Sequence, residues 1–260
     1  MKITRTLTVL FAGLAFGMSA AAADIREIRF GTDPGNAPFE FKNKEGKLVG
    51  FDIELGEAIC AHLKAKCTWV ENNFDGMIPA LKAKKFDVIN ASMSVTEKRL
   101  KEIDFTNRVT LSPSRMIARA SGKLQPTPES LKGKRVGVQQ GSTHEAYAKQ
   151  KWAPAGVEVI SYGKNDQIYA DLQSGRLDAG VMDGVEASEN FLKKPAGQGF
   201  AFAGNALKDE KIFGLGTGLG VRKGETQLKD ALNKALAELK ANGTYKKIMN
   251  KYFEVDVSGD

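Results

Sequence analysis

Apolar positions along this chain alternate between short unbroken runs and longer stretches at helical spacing, and the alternation predicts α/β architecture from Ile28 onward. Ile28 to Thr32 reads as a strand ending at Asp33. Asp52 to Lys64 carries Ile53, Leu55, Ile59 and Leu63 on one helical face. Cys67 to Val70 is strand-like, Phe74 to Lys84 a helix with Ile78 and Leu81 inward, and Phe86 to Ile89 a strand. Thr96-Glu97-Lys98-Arg99 has the form of a capped helix start. A stretch from Ser112 to Ser130, containing Pro, Ser and one strand-like piece at Met116 to Ala118, then separates this block from a second one. The second block repeats the grammar: strand Arg135 to Val138, a helix opened by Gln140-Gly141-Ser142-Thr143 and running through Ala148, strand Val157 to Ile160, helix Gln167 to Leu172, and strand Leu177 to Val181 running into Asp183. A glycine-rich strand, 214–221, leads into a long helix, 226–239, and a short one, 245–252. Periodicity alone does not say where this tail packs.

The N-terminal segment changes the picture of compartment. Lys2 and Arg5 precede an almost uncharged apolar run from Leu7 to Met18, followed by Ser19 and four alanines ending at Ala23. That is the form of an export signal cleaved near Ala23, and the run is short for a bilayer span, which takes about 20 residues. Residues 1–23 are therefore expected to be removed, leaving a soluble exported chain. The formal charge of +7 then falls to +5, because Lys2 and Arg5 leave with the leader. Lysines and acids are interspersed rather than blocked, which argues against nucleic-acid binding. In an oxidising compartment the close pair Cys60 and Cys67 is expected to form a disulfide, worth roughly 2–3 kcal/mol by chain entropy. Metal and cofactor chemistry has no support, since His62 and His144 fall in no ligand cluster.

Ligands of open α/β sheets gather beyond the carboxyl ends of the strands. Those ends here hold Asp33, with Asn36 just beyond; Ala91, Ser92 and Ser94, followed by Arg99; Gln139, Ser142 and His144; and Asp183. Phe74 opens the helix after the second strand. The set suits an amino acid. A carboxylate takes a bidentate arginine and helix-start amides, an α-ammonium takes a carboxylate and a hydroxyl, and a cationic side chain takes a further acid and a ring face. Each residue also has a plainer use. Asp at a strand end caps turns, Phe74 can be core, Ser92 and Ser94 can satisfy local backbone, and Arg99 and His144 can sit on the surface.

The segments 50–56 (GFDIELG), 74–81 (FDGMIPAL), 96–99 (TEKR), 131–138 (LKGKRVGV), 175–179 (GRLDA) and 243–248 (GTYKKI) resemble the periplasmic solute-binding proteins of polar amino acid ABC importers. The tracts 191–197 (FLKKPAG) and 200–204 (FAFAG) are similar to the lysine/arginine/ornithine- and histidine-binding group. The resemblance runs from about Ile28 to the C-terminus. It implies a two-lobed periplasmic binding protein fold of type II with two hinge crossings and the ligand cleft between the lobes. Lobe 1 would be 24–111 with 208–260, and lobe 2 would be 112–207. It also implies the Cys60–Cys67 disulfide. Arg99 would bind the ligand α-carboxylate with amides around Ser92 and Ser142, and Asp183 the α-ammonium with Ser94. Asp33 would read the cationic side-chain end, with Phe74 on its aliphatic part.

Four positions depart from that pattern. Asn36 stands where close relatives stack a tyrosine, Ala91 where a serine helps bind the side-chain end, Gln139 for a leucine and His144 for a glutamine. The α-amino acid anchors remain and the side-chain pocket is more polar. The expected ligand is a cationic L-amino acid, namely arginine, ornithine, lysine or histidine, delivered to a membrane permease by a monomer. A neutral polar amino acid or an opine-type conjugate is the alternative. A dehydratase-like enzyme on the same fold is the alternative from another class, which turnover of prephenate or arogenate would reveal.

Overall fold

The computed structural model describes residues 25–259, so the leader expected over 1–23 lies outside the described residues. Among the described residues twelve strands are formed: β1 Glu27–Thr32, β2 Phe41–Lys42, β3 Leu48–Val49, β4 Lys66–Glu71, β5 Val88–Ile89, β6 Ile103–Phe105, β7 Ser114–Arg119, β8 Arg135–Gln139, β9 Glu158–Tyr162, β10 Ala179–Asp183, β11 Phe200–Phe202 and β12 Gly220–Arg222. They make two five-stranded sheets, ordered β4-β1-β5-β12-β6 and β11-β7-β10-β8-β9, and a small β2-β3 hairpin.

Both sheets are mixed rather than wholly parallel. β1 runs parallel to β4 and β5, while β12 lies antiparallel between β5 and β6. In the second sheet β8 runs parallel to β9 and β10, and β7 pairs antiparallel with β10 and β11. This order puts the reversal of strand sequence between β1 and β5 in one lobe and between β8 and β10 in the other. The crevice at such a switch point is where open sheets take ligands.

Each sheet is covered on both faces, which is why its central strands are apolar almost throughout. In lobe 1 one face packs Ile28, Phe30, Val88 and Val221 against the helices Phe51–Leu63, Thr226–Ala241 and Thr244–Tyr252. The tail therefore returns to the first lobe. The other face gathers Met77, Leu81, Phe86, Ile89 and Ile103. Lobe 2 has the same two layers, one centred on Val136, Val138, Trp152 and Val181 and one on Ile168, Leu172, Leu177 and Phe191. A disulfide joins Cys60, near the end of the helix Phe51–Leu63, to Cys67 in β4.

Two elements differ from the sequence reading. The segment from Phe74 splits into a tight turn, Phe74–Gly76, and a helix, Met77–Lys82. The glycine-rich stretch expected as a strand over 214–221 is regular only at β12, because 214–219 forms one of the two crossings. Gly214 there has φ +75°, and a Cβ on it would lie 1.9 Å from the Val95 carbonyl oxygen. The crossings run side by side: Val109 donates to the Thr217 carbonyl at 2.8 Å, Thr217 to the Thr110 carbonyl at 2.8 Å, and the Thr110 and Thr217 hydroxyls lie 2.7 Å apart.

Candidate ligand-binding site between the lobes

A cavity of about 630 Å³ lies between the lobes, and it brings together Asn36, Phe74, Ala91, Ser92, Ser94, Arg99, Gln139, Ser142, His144 and Asp183. Asp33 belongs to the same region but is set back behind Gln139, whose Nε2 donates to Asp33 Oδ2 at 3.0 Å across the gap.

Arg99 is presented by a single helical turn, Glu97–Leu100, capped by Thr96, whose Oγ1 accepts from the Arg99 N–H at 3.3 Å. The side chain is 8% exposed. Nη1 donates to the Ser94 carbonyl at 2.8 Å, and Nη2 crosses to the Gly141 carbonyl of the other lobe at 3.1 Å. The guanidinium carbon sits 5.4 Å from the Phe74 ring centroid. No carboxylate lies within ion-pair distance among the described residues, and burial lowers its pKa to about 10. Gly141 is needed for this approach: its φ is +75°, and a Cβ there would stand 2.8 Å from Asp75 Cα of lobe 1.

Asp183 faces the cavity from lobe 2. Oδ1 caps the helix Gly184–Ala187 by accepting from Val185 N–H at 2.8 Å and Glu186 N–H at 3.0 Å, and Oδ2 accepts from the Ser112 hydroxyl. It is both a cap and a cavity group. Burial pushes its carboxyl up to about 6, offset in part by the two amides. Asp33 is likewise pushed up to about 6 by burial, with the nearby Lys164 charge opposing. Its Oδ1 is buried without a hydrogen-bond partner.

Ser142 caps the helix Thr143–Lys151, its Oγ accepting from Glu145 N–H at 3.1 Å. Ser92 differs from expectation: its N–H and Oγ both go to Asp52 Oδ2, at 2.8 and 3.0 Å, so its amide faces a protein acid. His144 is not on the surface. It is enclosed against Phe213, with Nε2 3.1 Å from Ser114 Oγ, and burial followed by the charge of Arg99 holds its pKa down to about 4, so the ring is neutral.

The sequence reading missed Glu40, Thr143, Asn165, Ser112 and Ser114, which line the same cavity. Asn165 follows β9 and falls under the strand-end rule that found the others. Glu40 carries a different signal, an acid wedged between Phe39 and Phe41.

Glu186, fully buried behind Asp183, supplies a test of these electrostatics. Its Oε1 accepts from Tyr169 Oη at 2.6 Å and Asn190 Nδ2 at 3.3 Å, Oε2 has no partner, and burial pushes the carboxyl up to about 8. A folded-state pKa raised above the unfolded one adds stability as pH falls through it. From pH 8.5 to 6.5 the protein should gain about 1–2 kcal/mol from this group. Below 6.5 the neutral His144 acts in the opposite sense to the acids. Denaturant unfolding at both pH values should show the gain in wild type and a flattened response in Glu186→Gln.

Two α/β lobes facing each other across a cavity with opposed ionic groups define a two-lobed periplasmic binding protein of type II. The chain belongs to the bacterial extracellular solute-binding proteins, family 3, whose sequence profile matches residues 28–255. It is 50% identical over 258 residues, 99% of each chain, to the histidine-binding periplasmic protein of Escherichia coli. It is 51% identical over 260 residues, the whole of both chains, to the lysine/arginine/ornithine-binding periplasmic protein of the same organism. Among solved structures it is similar to an ancestral arginine-binding protein bound to arginine, with TM-score 0.82 and 39% identity over 88% of this chain and 99% of the other. Among the described residues no helix is long and apolar enough to cross a membrane, and no group of three or more His, Cys, Asp or Glu is placed to hold a metal.

Proposed function

We propose that this protein captures a cationic L-amino acid (arginine, ornithine, lysine or histidine) in the periplasm and hands it to the membrane permease of an ABC importer, without chemistry. One observation carries the reading. A buried guanidinium with no acid partner, Arg99, and an enclosed carboxylate with no basic partner, Asp183, face one cavity from opposite lobes. Such a pair suits the two poles of a zwitterion, and a ligand that bridges both lobes favours the closed arrangement over an open one. Asp33 supports the cationic preference, because it offers a buried carboxylate whose Oδ1 has no hydrogen-bond partner, while the Phe74 amide and Gln139 already favour its charged form. The ligands for which these relatives are named point the same way. In this reading residues 1–23 are the cleaved leader and the working unit is a monomer; the lobe boundary expected at 208 moves to about 214, because Asp209 pairs with Lys151 and Phe213 stacks on Tyr147 of the second lobe, so that 24–111 with 214–260 form lobe 1 and 112–213 form lobe 2.

Asp33 and Asp183 serve as partners for ligand cations rather than as a general acid and base. Thermal-shift and calorimetric screening of refolded protein against the twenty amino acids, ornithine, citrulline and opines tests the reading. A cationic amino acid should give the largest shift, and Asp33→Asn should sharply narrow the preference for arginine over citrulline. A clear winner with no positive side-chain group would overturn the cationic assignment.

A further inference from the structure

The wall of the cavity below Asn36 holds two carboxyls side by side. Glu40 is 1% exposed and lines the cavity, and Asp52, 2% exposed, lies behind it at the start of the helix Phe51–Leu63. Asn36 Nδ2 donates to Glu40 Oε1 at 3.1 Å. The Ser92 hydroxyl stands between the two acids, 3.0 Å from Asp52 Oδ2 and 3.5 Å from Glu40 Oε2, and the Ser92 amide adds a second bond to Asp52. The groups facing Glu40 are thus an amide from the loop after β1, a hydroxyl from the loop after β5, Asp52 from the helix, and the charge of Asp33. Neither Glu40 nor Asp52 has a lysine or arginine within ion-pair distance among the described residues.

Two adjacent carboxyls removed from water with no counter-cation cannot both ionise. The donors decide which one keeps the proton. Ser92 gives both of its donors to Asp52, which favours the carboxylate there, while Glu40 has one amide donor and a neighbouring negative charge. Glu40 accordingly lies well above the usual carboxylate range, from burial first and then the charge of Asp52.

The same end of the cavity is rich in acceptors that lack donors. Asp33 Oδ1 and Asn165 Oδ1 are both buried and unpartnered, at 3% and 7% exposure, and Asn165 lines the cavity. Asn165 belongs to this end because its neighbour Lys164 packs beside Gly35 and acts by charge on Asp33. Several acceptors around one terminus call for a multi-donor group. A guanidinium offers five N–H donors in a planar fork, against three on an ammonium and two on an imidazolium.

We propose that Glu40 is a second acidic residue reading the ligand's side-chain end, and that the Glu40–Asp52 pair gives up its shared proton to solvent when a guanidinium side chain enters. The charges balance: a neutral carboxyl and a cation become a carboxylate–guanidinium pair plus one released proton. Because Glu40 touches the cavity directly, it sets specificity, whereas Asp52 acts through it. The inference rests on the reading above, that a cationic amino acid occupies this cavity.

The test is calorimetry of the full protein with L-arginine at pH 7.5 in phosphate and in Tris, whose ionisation enthalpies differ. The difference in observed heat counts protons. Wild type should release between half a proton and one per arginine bound, and its affinity should rise with pH, up to about tenfold per unit where the pair is protonated. Glu40→Gln should release none and should narrow the preference for arginine over citrulline at least tenfold. Arginine binding by wild type with equal heats in the two buffers overturns the inference and leaves the proposed function standing, as does a Glu40→Gln variant that keeps both the release and the preference. No arginine binding at all overturns both. The wild-type proton count needs no variant, so it stays decisive if Glu40→Gln does not fold.

Discussion

Arg99→Ala should weaken binding of the preferred amino acid by at least ~2 kcal/mol, about thirtyfold in Kd. The guanidinium is buried, has backbone partners only, and reaches from lobe 1 to the Gly141 carbonyl of lobe 2. Removing it takes away the cation available to a ligand carboxylate and leaves that carboxylate desolvated on arrival. Arg99→Lys should recover only part of the loss, because an ammonium keeps the charge but not the two-pronged geometry. Titration calorimetry with each variant checks this. Near-unchanged affinity in Arg99→Ala would remove the carboxylate anchor from the scheme.

Asp183→Asn separates binding from folding. Asparagine caps a helix as well as aspartate does, so the bonds from the Val185 and Glu186 amides can persist and the thermal midpoint of the protein without added amino acid should hardly move. Affinity should nevertheless fall by about 2–4 kcal/mol, since the negative charge facing the ligand ammonium is gone. Parallel thermal denaturation and calorimetry make the comparison. If midpoint and affinity drop together, Asp183 is a cap whose loss disorders the lobe. If neither changes, the ammonium goes elsewhere.

Much of this site could be read from the chain because strand ends are readable. Short apolar runs followed by polar residues mark where parallel strands stop, and the fold aims those stops at the cleft. Ser94, Gln139, Ser142 and Asp183 were placed at the cavity in this way, with Asp33 set just behind Gln139. What escaped depends on contacts between distant segments. The burial of His144 requires Phe213, the last residue of a short helix, Glu210–Phe213, just before the crossing. The position of Asp33 behind Gln139 is a contact between lobes that no local pattern encodes. Glu40 follows no strand; it enters the cavity because the loop after β1 turns back through the Asn36–Glu40 bridge. The placement of the last two helices on lobe 1 likewise needed the paired crossings, whose hydrogen bonds join residues more than a hundred positions apart.

Under the proposed role of Asp33, its bond from Gln139 makes the protein's own carboxamide an internal rival for the ligand. A newcomer reaches that acid only by evicting the amide, so admission is decided by exchange rather than by simple docking. An uncharged guest trades one neutral donor for another and gains little, whereas a positively charged one replaces a dipole with a full charge. Under the proposed role of Asp33, discrimination against glutamine-like compounds would begin at this resting contact, before any visitor is examined for shape.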